Sequence, residues 1–125
     1  MAAIRILLVE DNDVYRASLE LLLGMQEGLE VVGGVSDGVA AAVACAETAA
    51  DVVLMDVRLP GLDGPAATAA VLAECPDAAV LGLTAEATDE EDAAMREAGA
   101  VGLVLKGEPV EQLVAAIRDA VGSRA

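Results

Sequence analysis

The sequence contains no histidine, no tryptophan and no phenylalanine, and its only aromatic residue is Tyr15. The absence of histidine excludes Ser-His-Asp and Cys-His catalysis, since both use an imidazole as the general base. It also excludes imidazole ligands for a metal ion, which many zinc and copper sites use. Carboxylate chemistry remains open to this chain.

Basic residues are scarce as well. Seven Lys and Arg stand against 22 Asp and Glu among 125 residues, which gives a formal net charge of −15, and Lys106 is the only lysine. Nucleic acid and anionic membranes require a cationic surface, so direct binding to either is excluded. The abundant carboxylates favour a hard divalent cation such as Mg²⁺ as a cofactor.

The chain has only two cysteines, Cys45 and Cys75, which lie in alanine-rich segments without the C-x-x-C spacing. This pattern predicts two buried, reduced thiols in a cytoplasmic protein, and it does not support a disulfide framework. The apolar stretch near the N-terminus is short and runs directly into Glu10 and Asp11. It predicts neither a signal peptide nor a membrane span, so we expect a cytoplasmic location.

Apolar residues make up 56% of the chain, which is enough for a sizeable core at this length. Five short, almost continuous apolar runs are typical of strands that are covered on both faces, as in a parallel sheet. These runs cover residues 4–9, 29–35, 52–55, 80–83 and 101–105. Segments with the apolar spacing of helices lie between the runs, so the sequence predicts alternating strands and helices.

Particular residues mark the ends of the predicted helices. Asp37 and Gly38 predict the start of the second helix. Gly64 and Pro65 predict the start of the third, because proline is favoured in the first turn. The acids within residues 86–92 predict the start of the fourth, where the helix dipole favours negative charge.

Five βα units predict an α/β fold of the (βα)5 type, a doubly wound three-layer sandwich around a five-stranded parallel sheet with right-handed crossovers. The sequence shows no linker, low-complexity tract or internal repeat. We therefore expect one domain over residues 1–125, with no effector domain in this chain.

Polar residues follow four of the predicted strands. Glu10 and Asp11 follow the first strand, Asp56 the third, Thr84 the fourth and Lys106 the fifth. In a doubly wound sheet, ligands bind beyond the carboxyl ends of the strands. Any one of these residues could simply cap a helix and face water. Their joint presence at the strand ends, with the only lysine among them, indicates one shared site.

The residue types at this edge suit phosphoryl transfer. Carboxylates held close together repel one another, and a divalent cation relieves that repulsion. A carboxylate beside Mg²⁺ can act as the nucleophile and form an aspartyl phosphate. The metal, an ammonium group and a hydroxyl stabilise the negative charge on the transferring oxygens, and Lys106 and Thr84 would supply the last two.

These motifs resemble the receiver domain of bacterial two-component response regulators over essentially the whole chain. The resemblance rests on the acidic pair after the first strand, the pattern D-x-x-L-P-G-x-D-G over residues 56–64, Thr84 and Lys106. It implies a flavodoxin-like or CheY-like fold. Residues 30–33, 36–38 and 105–107 are most similar to the NarL/FixJ subfamily. Members of that subfamily usually carry a C-terminal helix-turn-helix domain and regulate transcription.

The resemblance implies a role for each acid of the site. Asp56 would be the phosphoacceptor and would take its phosphate from a sensor histidine kinase. Asp11 and Asp56 would ligate Mg²⁺ (or Mn²⁺) directly, together with the main-chain carbonyl of Arg58. Glu10 would act through a metal-bound water.

The same resemblance implies that Thr84 and Lys106 bind the phosphoryl oxygens, and that Thr84 shifts the loop before the fourth helix as it moves toward the phosphate. Two departures from the family pattern affect this switch. Many receivers carry an aromatic residue three positions before the lysine, where this chain has Leu103, and its only aromatic residue is Tyr15. Lys106 is followed by Gly107, whereas many receivers have proline there.

Further expectations concern partners and the lifetime of the phosphate. The family implies a homodimer, and contact with DNA only through an effector domain absent from this chain. It implies a signalling domain that catalyses only its own phosphorylation and dephosphorylation. Arg58 and Glu86 have opposite charge. We hypothesise that they pair across the mouth of the site and so affect the lifetime of the phosphate; the alternative is two separate, solvated side chains.

Two alternatives stay open at this point. A magnesium phosphohydrolase of the haloacid-dehalogenase type also uses an aspartate at a strand end, but it needs a second acid where this chain has Arg58. The other alternative is a receiver-like module that is regulated by binding of a ligand or partner instead of by phosphate.

Overall fold

The computed structural model describes residues 2–123, and within that range five strands alternate with five helices. Each predicted strand is confirmed to within one residue at either end. The strands are β1 (Ile4–Val9), β2 (Leu29–Val35), β3 (Val52–Asp56), β4 (Ala79–Thr84) and β5 (Gly102–Leu105). The helices are α1 (Asp13–Gly24), α2 (Ala41–Thr48), α3 (Gly64–Glu74), α4 (Asp89–Ala98) and α5 (Val110–Ser123).

The five strands form one parallel sheet in the order β2-β1-β3-β4-β5. From β1 the chain first crosses to β2 on one side and then to β3 on the other. The strand order therefore reverses between β1 and β3, and the carboxyl ends of these two strands flank the switch point where such sheets bind ligands. The predicted doubly wound α/β fold is confirmed.

The core has one apolar layer on each face of the sheet, because successive strand residues point to opposite faces. Ile6 and Leu8 of β1 belong to the layer that also contains Ile117 of α5. Leu7 of β1 belongs to the other layer, together with Met95 of α4. All five side chains are fully buried, and the two layers hold the ends of β1 and β3 in fixed positions.

The second helix begins three residues later than predicted, at Ala41, so the assignment of its start to Asp37 and Gly38 is wrong. The Asp37 carboxylate instead accepts a hydrogen bond from the Ala40 main-chain N–H at 3.0 Å, within the loop before the helix. Gly38 lies directly against the neighbouring loop, since a Cβ there would sit 1.9 Å from the carbonyl oxygen of Leu62. The segment around Gly38 therefore packs as a loop against its neighbour, and the helix begins after it, at Ala41.

The third helix begins at Gly64, as predicted, with Asp63 as its N-terminal cap. A Cβ on Gly64 would lie 2.6 Å from the Cα of Val57, so only glycine lets α3 begin against the end of β3. The fourth helix begins at Asp89, capped by the Thr88 side chain, and its first turn contains four acids. The predicted acidic start of α4 is therefore confirmed, although it lies three residues after Glu86.

The apolar residues of the outer helices mostly face the sheet. Leu19 and Leu23 of α1 and Leu113 and Ile117 of α5 are buried, whereas Leu22 is 41% exposed. Core packing thus accounts for these four buried residues. No helix within residues 2–123 is long and apolar enough to cross a membrane.

The two cysteines are free thiols, as predicted. Cys45 is fully buried, and Cys75, at the end of α3, is only partly buried. Burial, followed by the neighbouring Cys75 thiol, raises the pKa of Cys45 to about 12. Cys45 is therefore protonated at neutral pH and is a poor nucleophile.

Candidate functional site

Three carboxylates meet at the switch point of the sheet. Glu10 directly follows β1, Asp11 is the next residue, and Asp56 is the last residue of β3. One carboxylate oxygen from each lies within 4.8 Å of the others. Glu10 is fully buried and Asp56 is 4% exposed, whereas Asp11 is exposed. We call these three residues the acidic cluster.

Main-chain hydrogen bonds hold the two buried carboxylates in place. The Glu10 N–H donates to the carbonyl of Val35 at 3.0 Å, which extends the pairing of β1 with β2 by one residue. The Glu10 carboxylate accepts a hydrogen bond from the Asn12 N–H at 3.0 Å. In the same way, Oδ1 of Asp56 accepts from the Arg58 N–H at 3.0 Å. Both carboxylates are thus oriented by the loops that follow their strands.

Lys106 places its ammonium between these two acids. Its Nζ lies 2.5 Å from Oε1 of Glu10 and 3.1 Å from Oδ2 of Asp56. Burial tends to lower the pKa of Lys106, but the hydrogen bonds and charges of the two carboxylates outweigh it, so the pKa is raised above its ordinary value. Lys106 is therefore a fixed positive charge at neutral pH. One ammonium and three carboxylates still leave the pocket with excess negative charge when all are ionised.

The sole aromatic residue lies over the sole lysine. The centroid of the Tyr15 ring is 5.0 Å from the Nζ of Lys106, which is a cation–π distance. Burial is the main reason that the pKa of the Tyr15 hydroxyl is raised. The sequence shows that Tyr15 is the only aromatic residue and Lys106 the only lysine. It does not show that the two residues are in contact.

Thr84 reaches the same edge, but its hydroxyl is engaged elsewhere. The residue ends β4 and is 2% exposed. Its hydroxyl donates a hydrogen bond to the main-chain carbonyl of Glu86 at 2.7 Å. Its own carbonyl accepts a hydrogen bond from the Lys106 N–H at 2.8 Å. The structure therefore places Thr84 at the strand end where it was predicted, with its hydroxyl bound to the loop before α4.

The hypothesis that Arg58 pairs with Glu86 is wrong, because the partner of Arg58 is Glu91. The guanidinium contacts both carboxylate oxygens of Glu91, at 2.9 Å from Nε and 3.3 Å from Nη2. Glu91 lies in the first turn of α4, where the Thr88 hydroxyl also donates to it at 3.2 Å. The hydrogen bond from Arg58 is the main reason that the pKa of Glu91 is lowered. The ion pair thus spans the loop after β3 and the start of α4.

Two further acids, Asp13 and Asp63, lie outside the site. Asp13 is highly exposed in the first turn of α1 and forms an ion pair with Arg16 at 2.8 Å. Asp63 accepts a hydrogen bond from the Ala66 N–H at 3.0 Å and caps α3. Both carboxylates are accounted for by the helix ends on which they lie.

The donor set of the acidic cluster fits a hard divalent cation. Mg²⁺ prefers oxygen ligands, and three carboxylate oxygens converge here. The Lys106 ammonium offsets only part of their negative charge. The cluster would bind such an ion at the point where β1 and β3 end. The main-chain carbonyl of Arg58 stays a prediction as a further ligand.

A doubly wound parallel sheet with an acidic cluster, a lysine and a threonine at its switch point defines an α/β domain of the phosphate-accepting receiver class. The model of the response regulator receiver domain family matches residues 6–118. The chain therefore belongs to the response regulator receiver domain family.

Curated relatives agree with this assignment. The response regulator GacA of Pseudomonas aeruginosa is 38% identical over 92% of this chain and 54% of its own length. The response regulator UvrY of Escherichia coli K12 is 36% identical over 92% of this chain and 53% of its own length. The chain thus spans about half the length of these relatives.

Solved structures share the whole fold. The signal receiver domain of NarL from Mycobacterium tuberculosis matches with a TM-score of 0.92 at 28% identity, over 98% of each chain. This similarity supports the predicted resemblance to the NarL/FixJ subfamily. The receiver domain of the sensor histidine kinase PA1611 from Pseudomonas aeruginosa matches with a TM-score of 0.85 at 32% identity, over 97% of this chain and 99% of that one. In that protein a magnesium ion is coordinated in the active site cleft.

Proposed function

We propose that Asp56 is the phosphoacceptor of this receiver domain. The observation that carries the proposal is its position as a nearly fully buried carboxylate at the end of β3, with Oδ1 held by the Arg58 N–H and Oδ2 beside the Lys106 ammonium. The phosphoryl donor is a sensor histidine kinase. The chain itself has no histidine that could donate phosphate.

The chemistry follows from these contacts. A carboxylate oxygen of Asp56 attacks the phosphorus of the donor, and the P–N bond of a phosphohistidine, or the P–O bond of acetyl phosphate, breaks as the new P–O bond forms. The Lys106 ammonium lies close enough to neutralise charge that develops on the phosphoryl oxygens. Despite the opposing effect of burial, the two carboxylates raise the pKa of Lys106, so the ammonium is charged when the donor arrives.

The cation in this proposal is Mg²⁺ or Mn²⁺. Asp11 and Asp56 are its direct carboxylate ligands, the main-chain carbonyl of Arg58 is the third protein ligand, and Glu10 binds through water. When bound, the cation neutralises the acidic cluster and the phosphoryl oxygens. The convergence of the three carboxylates within 4.8 Å supports this set.

Thr84 connects the phosphate to the loop before α4. Its hydroxyl now donates to the Glu86 carbonyl at 2.7 Å. An anionic phosphoryl oxygen is a stronger acceptor than a carbonyl, so the hydroxyl turns toward the phosphate and gives up the contact with Glu86. The loop is then free to take a second arrangement, which changes the α4 surface.

The output lies outside this chain. The chain spans about half the length of these relatives, and we propose that phosphorylation controls transcription through an effector domain that contacts DNA. A homodimer and a cytoplasmic location belong to the same proposal. The domain catalyses only its own phosphorylation and dephosphorylation.

Intact mass spectrometry after incubation with acetyl phosphate and Mg²⁺ tests the proposal. We expect a gain of one phosphoryl group that is lost in Asp56→Ala and kept in Asp13→Ala, a change to an exposed acid nearby. A protein that gains no phosphoryl group would instead support the ligand-regulated alternative. Release of phosphate from added phosphoesters with many turnovers would support the phosphohydrolase alternative.

A further inference from the structure

Lys106 has a long side chain and directly follows a short strand. It follows β5, which has four residues, and is itself followed by Gly107, which has a φ of +89°. A Cβ at Gly107 would have no neighbouring atom within 4 Å. The preceding Leu105 is 40% exposed, so little packing holds this end of the strand. A lysine stem has several rotatable bonds, and fixing its ammonium therefore requires contacts at the tip.

Two of the tip contacts are carboxylates of the acidic cluster. Glu10 and Asp56 hold the Nζ at 2.5 and 3.1 Å. Both carboxylates take other partners once a cation and a phosphoryl group occupy the pocket. These ion pairs weaken at the stage of the reaction at which the position of Lys106 matters most.

The third contact is the ring of Tyr15, at 5.0 Å from the Nζ. The ring is half-buried and packs against the apolar layer formed with α5, so it cannot swing freely. The Tyr15 N–H donates to the side chain of Asn12, the cap of α1, at 2.9 Å, which fixes where the helix begins relative to the site. The ring takes no part in the proposed metal ligation, so its contact can persist when the pocket is filled.

We propose that Tyr15 is a positioning residue, whose ring face holds the Lys106 ammonium beside Asp56 during phosphoryl transfer. The inference rests on the proposed function of Asp56 and Lys106 and adds a residue to it. The aromatic face supplies the attraction, and the hydroxyl is not required. Tyr15→Phe therefore keeps the contact with the ammonium, whereas Tyr15→Leu replaces the ring with an aliphatic side chain and removes that contact.

The rate of phosphorylation by acetyl phosphate is the first measurement. We expect Tyr15→Leu to be slower than the wild type by about three- to tenfold, the size that a partly desolvated cation–π contact supports. Tyr15→Phe should stay within about twofold of the wild type. A Tyr15→Leu rate equal to that of the wild type would overturn the proposal.

A double-mutant cycle separates positioning from a general structural effect. If Tyr15 acts through the ammonium, Tyr15→Leu has no further effect on the residual rate of Lys106→Ala. An equal fractional loss in both backgrounds would show that Tyr15 acts independently of Lys106, and the proposal would be wrong.

A second readout does not require phosphorylation. Because Lys106 is the only lysine, ¹³C-lysine labelling gives a single set of side-chain NMR signals. We expect the ε-CH₂ signal to be shifted upfield by the ring in the wild type and in Tyr15→Phe, and to lose that shift in Tyr15→Leu. If the wild type gains no phosphoryl group, the proposed function fails, and this NMR comparison alone decides whether Tyr15 holds Lys106. A wild-type signal at the Tyr15→Leu position would contradict that contact.

Discussion

The aspartates at the two ends of β3 both accept a main-chain hydrogen bond but lie in different surroundings. Asp51 directly precedes the strand, and its carboxylate accepts a hydrogen bond from the Arg5 N–H at 2.9 Å, while its own N–H donates to the Arg5 carbonyl at 2.8 Å. Asp56 ends the strand and lies among two other carboxylates with a single ammonium nearby. One carboxylate joins strands together, and the other adds to a concentration of like charge.

The difference shows which polar groups the fold needs. Three of the four buried polar residues in the described part of the chain, Glu10, Asp56 and Thr84, lie at the carboxyl ends of strands. The hydrogen bonds of Asp51 link the start of β3 to β1 and contribute to folding. The carboxylates of the acidic cluster also accept hydrogen bonds, but the repulsion among them opposes folding unless a cation binds. Matched substitutions at the two ends of the sheet should therefore change the phosphorylation rate and the free energy of unfolding differently, and sometimes in opposite directions.

The largest expected difference is in phosphorylation rate. Lys106→Ala should lower the rate with acetyl phosphate by about a hundredfold, because it removes the positive charge next to the phosphoryl oxygens. Arg5→Ala, which removes a positive charge at the opposite end of the sheet, should leave the rate within about twofold. The rates are measured by intact mass against time. Equal losses in both variants would remove the distinction between the two ends.

Mg²⁺ should stabilise the protein only through the acidic cluster at the carboxyl ends of the strands. At a Mg²⁺ concentration ten times its dissociation constant, we expect the free energy of unfolding to rise by about 1.4 kcal/mol. Asp51→Asn should keep this increment, whereas Asp56→Asn should lose most of it, since one ligand is gone. Thermal unfolding with and without Mg²⁺ measures both. An increment of the same size in both variants would place the ion elsewhere.

Without divalent cations, the same two substitutions should change stability in opposite directions. Asp56→Asn should raise the free energy of unfolding by about 1 kcal/mol, because it relieves repulsion within the acidic cluster. Asp51→Asn should lower it by about 1 kcal/mol, because a charged acceptor of the Arg5 N–H becomes neutral. Urea unfolding in EDTA gives both values. Destabilisation by Asp56→Asn would mean that its carboxylate serves the fold.

The smallest effect concerns the ion pair at the mouth of the site. Arg58→Ala should speed dephosphorylation by only about two- to threefold, because the Arg58 side chain is largely exposed and such pairs are weak. Arg96→Ala breaks a comparable pair with Asp92 further along α4 and should leave the rate unchanged. The decay of the phosphorylated mass in the two variants decides whether Arg58 shields the phosphate, and an unchanged rate in Arg58→Ala counts against that role.

The positions of the strands and of the site residues followed from the sequence. Continuous apolar runs marked all five strands to within one residue, and parallel strands necessarily bring their carboxyl ends to one edge. The position of each residue directly after or at the end of a predicted strand therefore predicted that Glu10, Asp56, Thr84 and Lys106 would lie together.

Contacts between loops and helices did not follow, because they depend on packing between segments distant in sequence. The start of α2 is set by the approach of Gly38 to Leu62. Arg58 pairs with Glu91 instead of Glu86 because its flexible side chain reaches the first turn of α4. The contact of Tyr15 with Lys106 joins residues on different elements, and no periodicity in the sequence encodes it.

The most direct test asks which aspartate carries the phosphate. After incubation with acetyl phosphate and Mg²⁺, borohydride reduces an aspartyl phosphate to homoserine, and tandem mass spectrometry of the digested protein then locates the reduced residue. We predict homoserine at Asp56 alone, with Asp11 and Asp51 unchanged. Homoserine at another aspartate, or a phosphorylated protein that yields none, would contradict the assignment of Asp56.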